Sequence, residues 1–192
     1  MGNKGNKKLV AFIIAVVTFL ILAVSLGTYF FFFRKSDVIP TQIDNSKNPV
    51  STSGMRQYHN IERGFTLDYP PDLSIKDYDE GETTHTLIFA DATGEKSFQL
   101  FFTPYLGDAI TQRRIDMDIP DGKMIDPVPV VVGGSVHAIV FWSNSTLGRL
   151  REVWFIHDGY LFQATTQEQN DKWLSEILDS WKFARISPAG GS

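Results

Sequence analysis

The stretch EVWFIHDGYLFQATT, Glu152 to Thr166, sets a histidine beside an aspartate among aromatic residues, a pairing that suits either acid–base chemistry or a bend. Alternation decides between them. Val153 and Phe155 fall on one face of an extended segment, Trp154 and Ile156 on the other, and both sets are apolar. A strand covered on both faces is expected. His157-Asp158-Gly159-Tyr160 then reads as a tight hairpin, because a two-residue connection needs positive φ at both central positions and Asp-Gly supplies it. Neighbouring residues at a strand end point in opposite directions, so His157 and Asp158 are poorly placed to share a proton.

The same pattern of short β-branched and aromatic runs extends to both sides. Strands are expected at Gly64 to Tyr69, Leu73 to Tyr78, Thr84 to Ala90, Phe98 to Tyr105, Val128 to Val132, Ser135 to Ser143, Arg151 to His157 and Tyr160 to Thr166. Between them stand YPPD, DEGE, DATGE, VGGS, NSTLG and HDG, each rich in turn residues. Short connections make the sheet mostly antiparallel. Two segments depart from this period. Asp108 to Met117 forms a short helix capped by Asp108, with Ile110 and Arg114 on one side. Trp173, Leu174, Ile177, Leu178 and Trp181 recur at helical spacing, with Asn170 or Thr166 as the cap, and this stripe needs a sheet face to bury against.

The N-terminal part has a different character. Residues 9–33, LVAFIIAVVTFLILAVSLGTYFFFF, are 25 positions without a charge. As a helix they extend roughly 37 Å, against roughly 30 Å of bilayer hydrocarbon. A cleaved signal peptide has a shorter apolar region ending in small residues, whereas this one ends in Tyr29 and four phenylalanines. The chain has no cysteine for a lipid thioether or palmitate, so a spanning helix is the expected anchor. Lys4, Lys7 and Lys8 on one flank against Arg34 and Lys35 on the other place residues 1–8 in the cytoplasm as a short tail and the rest outside the cell membrane. Residues 34–56, rich in Ser, Thr, Asn and Pro, read as a flexible linker, 57–184 as the folded domain and 185–192 as a disordered tail.

Beyond Lys35, 13 Lys and Arg stand against 22 Asp and Glu, a net charge of −9. Such a domain is repelled by nucleic acid and by anionic lipid. Arg113-Arg114 and Arg149-Leu-Arg151 have no spaced aromatic residues around them to stack bases, so no nucleic-acid partner is expected.

Catalytic and metal-ligating patterns are thin. His59, His85, His137 and His157 are scattered singly over expected strands, and zinc would need ligands from distant ones. DYDEGE and IDMDIPDGKMID gather the oxygens that hard cations prefer, but neither follows an EF-hand or β-roll repeat. Asp116, Asp118 and Asp121 are the only metal candidates carried forward, as weak ones, because they lie in the longest irregular connection. No cofactor and no catalytic residue is expected. Ser143 and Ser145 lack a nucleophile elbow, and VVVGGSV leads into a strand and not into a phosphate-binding helix. Asn144-Ser145-Thr146 is a sequon that matters only in a glycosylating host. Trp142 and Trp173 suit the core or the cavity between sheet and helix, where small ligands bind.

The segments GFTLDYPPDLSI and DGYLFQATTQEQNDKWLSEILDSWKF, with antiparallel strands between them, resemble the PsbP-like family. That family includes the extrinsic PsbP subunit of photosystem II, a Ran GTPase-binding protein and many anchored bacterial proteins. The likeness spans roughly residues 58–183. Leu73 departs from it, since a tryptophan often follows the Tyr-Pro element. The resemblance implies an α/β sandwich and a binding or assembly role without catalysis; no metal or partner-binding residue maps onto this chain. The expected fold is thus α+β, a central mostly antiparallel sheet flanked by helices, plus one N-terminal transmembrane helix. The expected function is a non-enzymatic module docking another envelope protein or complex. Its rival is a metal-assisted hydrolase or a cation-dependent adhesion module using residues 116–121.

Overall fold

The structure is a computed structural model that describes residues 41–42, 54–81, 83–146 and 148–184. The spanning helix expected at 9–33 and the tails 1–8 and 185–192 lie outside the described residues; among those described, no helix is long and apolar enough to cross a membrane. The described elements fall in the compact unit Ile39–Ser192.

Along the chain come β1 (Thr41–Gln42), β2 (Arg56–Asn60), β3 (Phe65–Tyr69), β4 (Ser74–Gly81), β5 (Thr84–Ala90), β6 (Ser97–Pro104) and helix α1 (Gln112–Asp118). They are followed by β7 (Ile125–Val132), β8 (Val136–Ser145), β9 (Gly148–His157), β10 (Tyr160–Gln167), a 3-10 turn (Glu168–Asn170), helix α2 (Asp171–Asp179) and β11 (Lys182–Phe183). Eight strands form one sheet in the order β1-β4-β5-β6-β10-β9-β8-β7, and three form a second in the order β11-β3-β2. Every pairing is antiparallel.

The opening stretch behaves as its alternation demands. Trp154 is 1% exposed and Phe155 wholly buried, on opposite faces of β9. Asp158 and Gly159 take φ of 49° and 77°, the left-handed pair a two-residue hairpin requires. Phe155 joins the main core with Phe102, Phe162 and Ala164, where Tyr58, Phe65 and Leu67 of the small sheet and Leu174, Ile177 and Trp181 close over them. Trp154 joins a smaller cluster on the far face with Phe141 and with Ile115 and Ile119 of α1 and its C-cap. At the β7–β8 turn Gly133 has φ +59° and lies so close to the Trp181 carbonyl that a Cβ would come within 2.6 Å of that oxygen.

The layering corrects the expected α+β arrangement. The fold is dominated by antiparallel sheet, and much of the main face is covered by β2, β3 and β11, a second sheet, with α2 beside it. The two α-helices among the described residues have only seven and nine residues. The reason lies in β2, RQYHN, where Tyr58 alone of five residues is buried; a strand with one inward side chain carries almost no periodic signal. Residues 41–42, inside the expected linker, also form an edge strand, Thr41 facing Asp77 and Gln42 facing Lys76.

The start of α1 differs from expectation, whereas α2 starts after the expected Asn170 but without its side-chain cap. α1 begins after Thr111, whose hydroxyl accepts the Arg114 N–H at 3.3 Å, and not after Asp108. Asn170 precedes α2 but its amide makes no cap; it donates instead to the Glu95 carbonyl at 2.8 Å, tying the helix to the β5–β6 turn.

Candidate functional site

A groove of about 470 Å³ runs between α2 and the β7–β8 hairpin. Val132, Val140, Val153, Leu174 and Leu178 form its floor. One rim is rigid. Arg151 donates through Nε and Nη2 to both oxygens of Asp171, at 2.6 and 2.8 Å, a fork geometry that fixes the side chain. The same guanidinium lies 3.6 Å from the Trp142 ring centroid and that of Arg149 lies at 4.4 Å. Lys172, Ser175 and Asp179 complete the rim, exposed on α2.

The outer wall is β7, which among the described strands pairs only with β8. Pro127 and Pro129 remove two N–H groups from it, the usual protection of an edge against pairing with a stray strand. Val128 and Val131 nevertheless stand 52% and 51% exposed. This edge offers side chains rather than a hydrogen-bonding ladder. Of the two tryptophans suited to a cavity, Trp142 sits under the guanidiniums and Trp173 packs edge-on against Phe98, 5.8 Å away, so neither supplies the floor.

A polar cluster lies on the opposite face. Glu152, 4% exposed, accepts from Ser143 Oγ at 2.8 Å, Thr165 Oγ1 at 2.7 Å and Trp154 Nε1 at 3.2 Å. Burial pushes its carboxyl above the ordinary 4.5, against the pull of these three donors, and the nearby Asp118 adds to the rise. The sequence carried a signal that went unread: Glu152 shares its face with Trp154, so a covered Trp154 implies a covered carboxyl.

The three weak metal candidates do not meet. Asp116 accepts from Gln112 Nε2 at 2.8 Å; Asp118 accepts from Arg114 Nε at 2.6 Å and from Gln163 Nε2; Asp121 accepts from the Lys123 N–H and from Asn144 Nδ2 at 3.4 Å. No group of three His, Asp or Glu side chains among the described residues converges as metal ligands do. Millimolar calcium is therefore expected to leave the Tm of the protein unmoved in a thermal scan; a clear rise would show that the acidic loop rearranges around a cation.

The histidines stay apart as well. His85 Nδ1 lies 3.0 Å from Asp77 Oδ1, its ring stacked on Phe102. His157 packs on Phe183 with centroids 4.3 Å apart, and this burial holds it below its ordinary 6.5, Asp158 opposing. His137 and His157 border a second, open depression of about 550 Å³ with Ile139, Ile156 and Asp108.

No family model matches this chain, and no curated protein matches it significantly.

Proposed function

We propose that the chain is a non-enzymatic binding module, held at the cell membrane by residues 9–33 with its domain outside, and that it docks another envelope protein through the groove beside α2. The observation that supports this most is the combination of an apolar floor, half-exposed Val131 on the groove wall, and an edge strand closed to ladder formation by Pro127 and Pro129. A partner would insert apolar side chains over Val131 and the groove floor and meet charges of both signs on Lys172 and Asp179 at the rim. Polar groups elsewhere are committed to one another, as Glu152 and Asp118 illustrate. Kinship with the PsbP-like family is part of this proposal, resting on residues 64–75 and 158–183, and it concerns the binding role, not the layering.

The test is a photo-crosslinker at Ser175 on the groove rim, with one at Ala92 on the β5–β6 turn as control, in intact membranes. The expected result is one envelope protein captured from position 175 and not from 92, and a loss of at least about tenfold in its affinity for purified Val131→Asp protein, the scale of placing a charge in an apolar contact. Equal capture at both positions, or unchanged affinity of Val131→Asp, would overturn the reading.

A further inference from the structure

Several connections meet at one end of the large sheet. Arg63, in the β2–β3 turn, holds its guanidinium 4.3 Å from the Tyr160 ring, and the Thr83 hydroxyl, beside the start of β5, lies 3.2 Å from the Tyr160 hydroxyl. The Tyr105 N–H, just after β6, donates to the Gly159 carbonyl at 2.8 Å. The turns are thereby tied into one platform. From it project Ile61, 91% exposed, and Leu106, wholly exposed, the two most accessible large apolar side chains among the described residues. Singly, exposed apolar residues call for no explanation. Here both sit on the same end, toward which the N-terminal end of β1 is directed.

The register of β1 shows this. Thr41 opposite Asp77 and Gln42 opposite Lys76, in antiparallel sense, mean that the N-terminal end of β1 is directed toward the Asp79–Gly81 end of β4, which is the end bearing the platform. Only residues 34–40 separate the apolar segment from β1. Eight residue steps extend at most about 28 Å. By sequence this tether is far shorter than a linker of 34–56 would be.

We propose that the platform end of the domain rests on the lipid surface, with Ile61 and Leu106 inserted at the level of the headgroups. This rests on the reading of residues 9–33 as a membrane anchor. Two apolar side chains hold a free protein to a bilayer only weakly, but a short tether makes the contact intramolecular and raises its effective concentration. Glu62, Asp108 and Asp158 flank the two tips, and Arg63 is engaged over Tyr160, so zwitterionic lipid suits the surface better than anionic lipid.

The chain has no cysteine, so single labels are straightforward. Ile61→Cys, Leu106→Cys and, at the opposite end, Ala92→Cys are exposed positions whose substitution disturbs no packing. The full-length variants would be spin-labelled, reconstituted in phosphatidylcholine vesicles and floated, and collision rates with oxygen and with a water-soluble nickel reagent measured. The oxygen-to-nickel ratio is expected to be several-fold higher at 61 and 106 than at 92, and to fall when phosphatidylglycerol is added. Floated protein with equal ratios at all three positions would overturn the proposal and leave the anchor reading standing. Failure to float would remove the anchor reading and the proposal with it. Protection at 61 and 106 in native membranes but not in pure lipid would assign the platform to a protein partner and overturn the lipid contact.

Discussion

Truncating Trp181 to alanine is expected to cost about 3–5 kcal/mol of unfolding free energy, the range for removing a large buried aromatic side chain. The indole is 1% exposed and sits between the two sheets, its ring centroid 5.1 Å from Phe65, 5.3 Å from Phe155 and 5.7 Å from Phe183. No other side chain on the short α2–β11 connection reaches both layers in this way, and the Gly133 turn is folded against its carbonyl. Trp181→Phe should cost much less. It keeps an aromatic ring at this position and removes an indole N–H that has no hydrogen-bond partner among the described residues. Urea denaturation followed by far-ultraviolet circular dichroism measures both; a loss below about 1 kcal/mol for Trp181→Ala would mean the small sheet is not packed on the large one.

Glu152 should make stability depend on pH in the direction opposite to most carboxylates. Its folded-state pKa is raised, so the native protein holds this proton more tightly than the unfolded chain does. Its favourable contribution is complete below the ordinary value of 4.5 and is lost as pH climbs through the raised folded value, after which the ionised carboxylate remains as a fixed penalty. Glu152→Gln, which mimics the protonated form in shape, is expected to abolish that decline: the stability gap between wild type and variant should shift in the variant's favour on going upward from pH 4.5. Glu152→Ala is different in kind. It strands the Ser143, Thr165 and Trp154 donors in a buried site, at about 1–3 kcal/mol for groups left without partners, with a cavity cost added. Denaturation curves for the three proteins across the acidic to neutral range provide the check, and parallel profiles for wild type and Glu152→Gln would refute the assignment.

The turn at Asp158-Gly159 was legible because its chemistry is local: two residues, two positive φ angles, one solution. Long strands such as β9 and β10 were legible for a related reason, since each carries enough buried residues to display a period. β1 and β11 have two residues each and β2 a single buried one, so their pairing is decided by what lies across from them and not by their own sequence. The start of α1 was misplaced by three residues because Asp108 and Thr111 are both competent caps, and the seat of Ile115 against Trp154 selects the second. Asn170 shows the same competition, its amide taken by the Glu95 carbonyl across the fold. For the candidate site, the apolar stripe of α2 was readable, whereas the groove was not. The groove is lined jointly by β7, β8, β9 and α2, an assembly that no single segment encodes. Nor could spacing place Trp142 under Arg149 and Arg151, which come from the neighbouring strand.

The strand order β6-β10-β9 bears on how the domain is made. Strands β4 to β6 and β7 to β9 can each zip up as soon as they are synthesised, but nothing joins them until β10 slides into the gap. A nascent polypeptide emerging N-terminus first therefore carries two unjoined half-sheets with raw edges until Gln167 is delivered. Stalled or truncated products ending before that point would be sticky by construction, and a holding chaperone would be most needed during that interval.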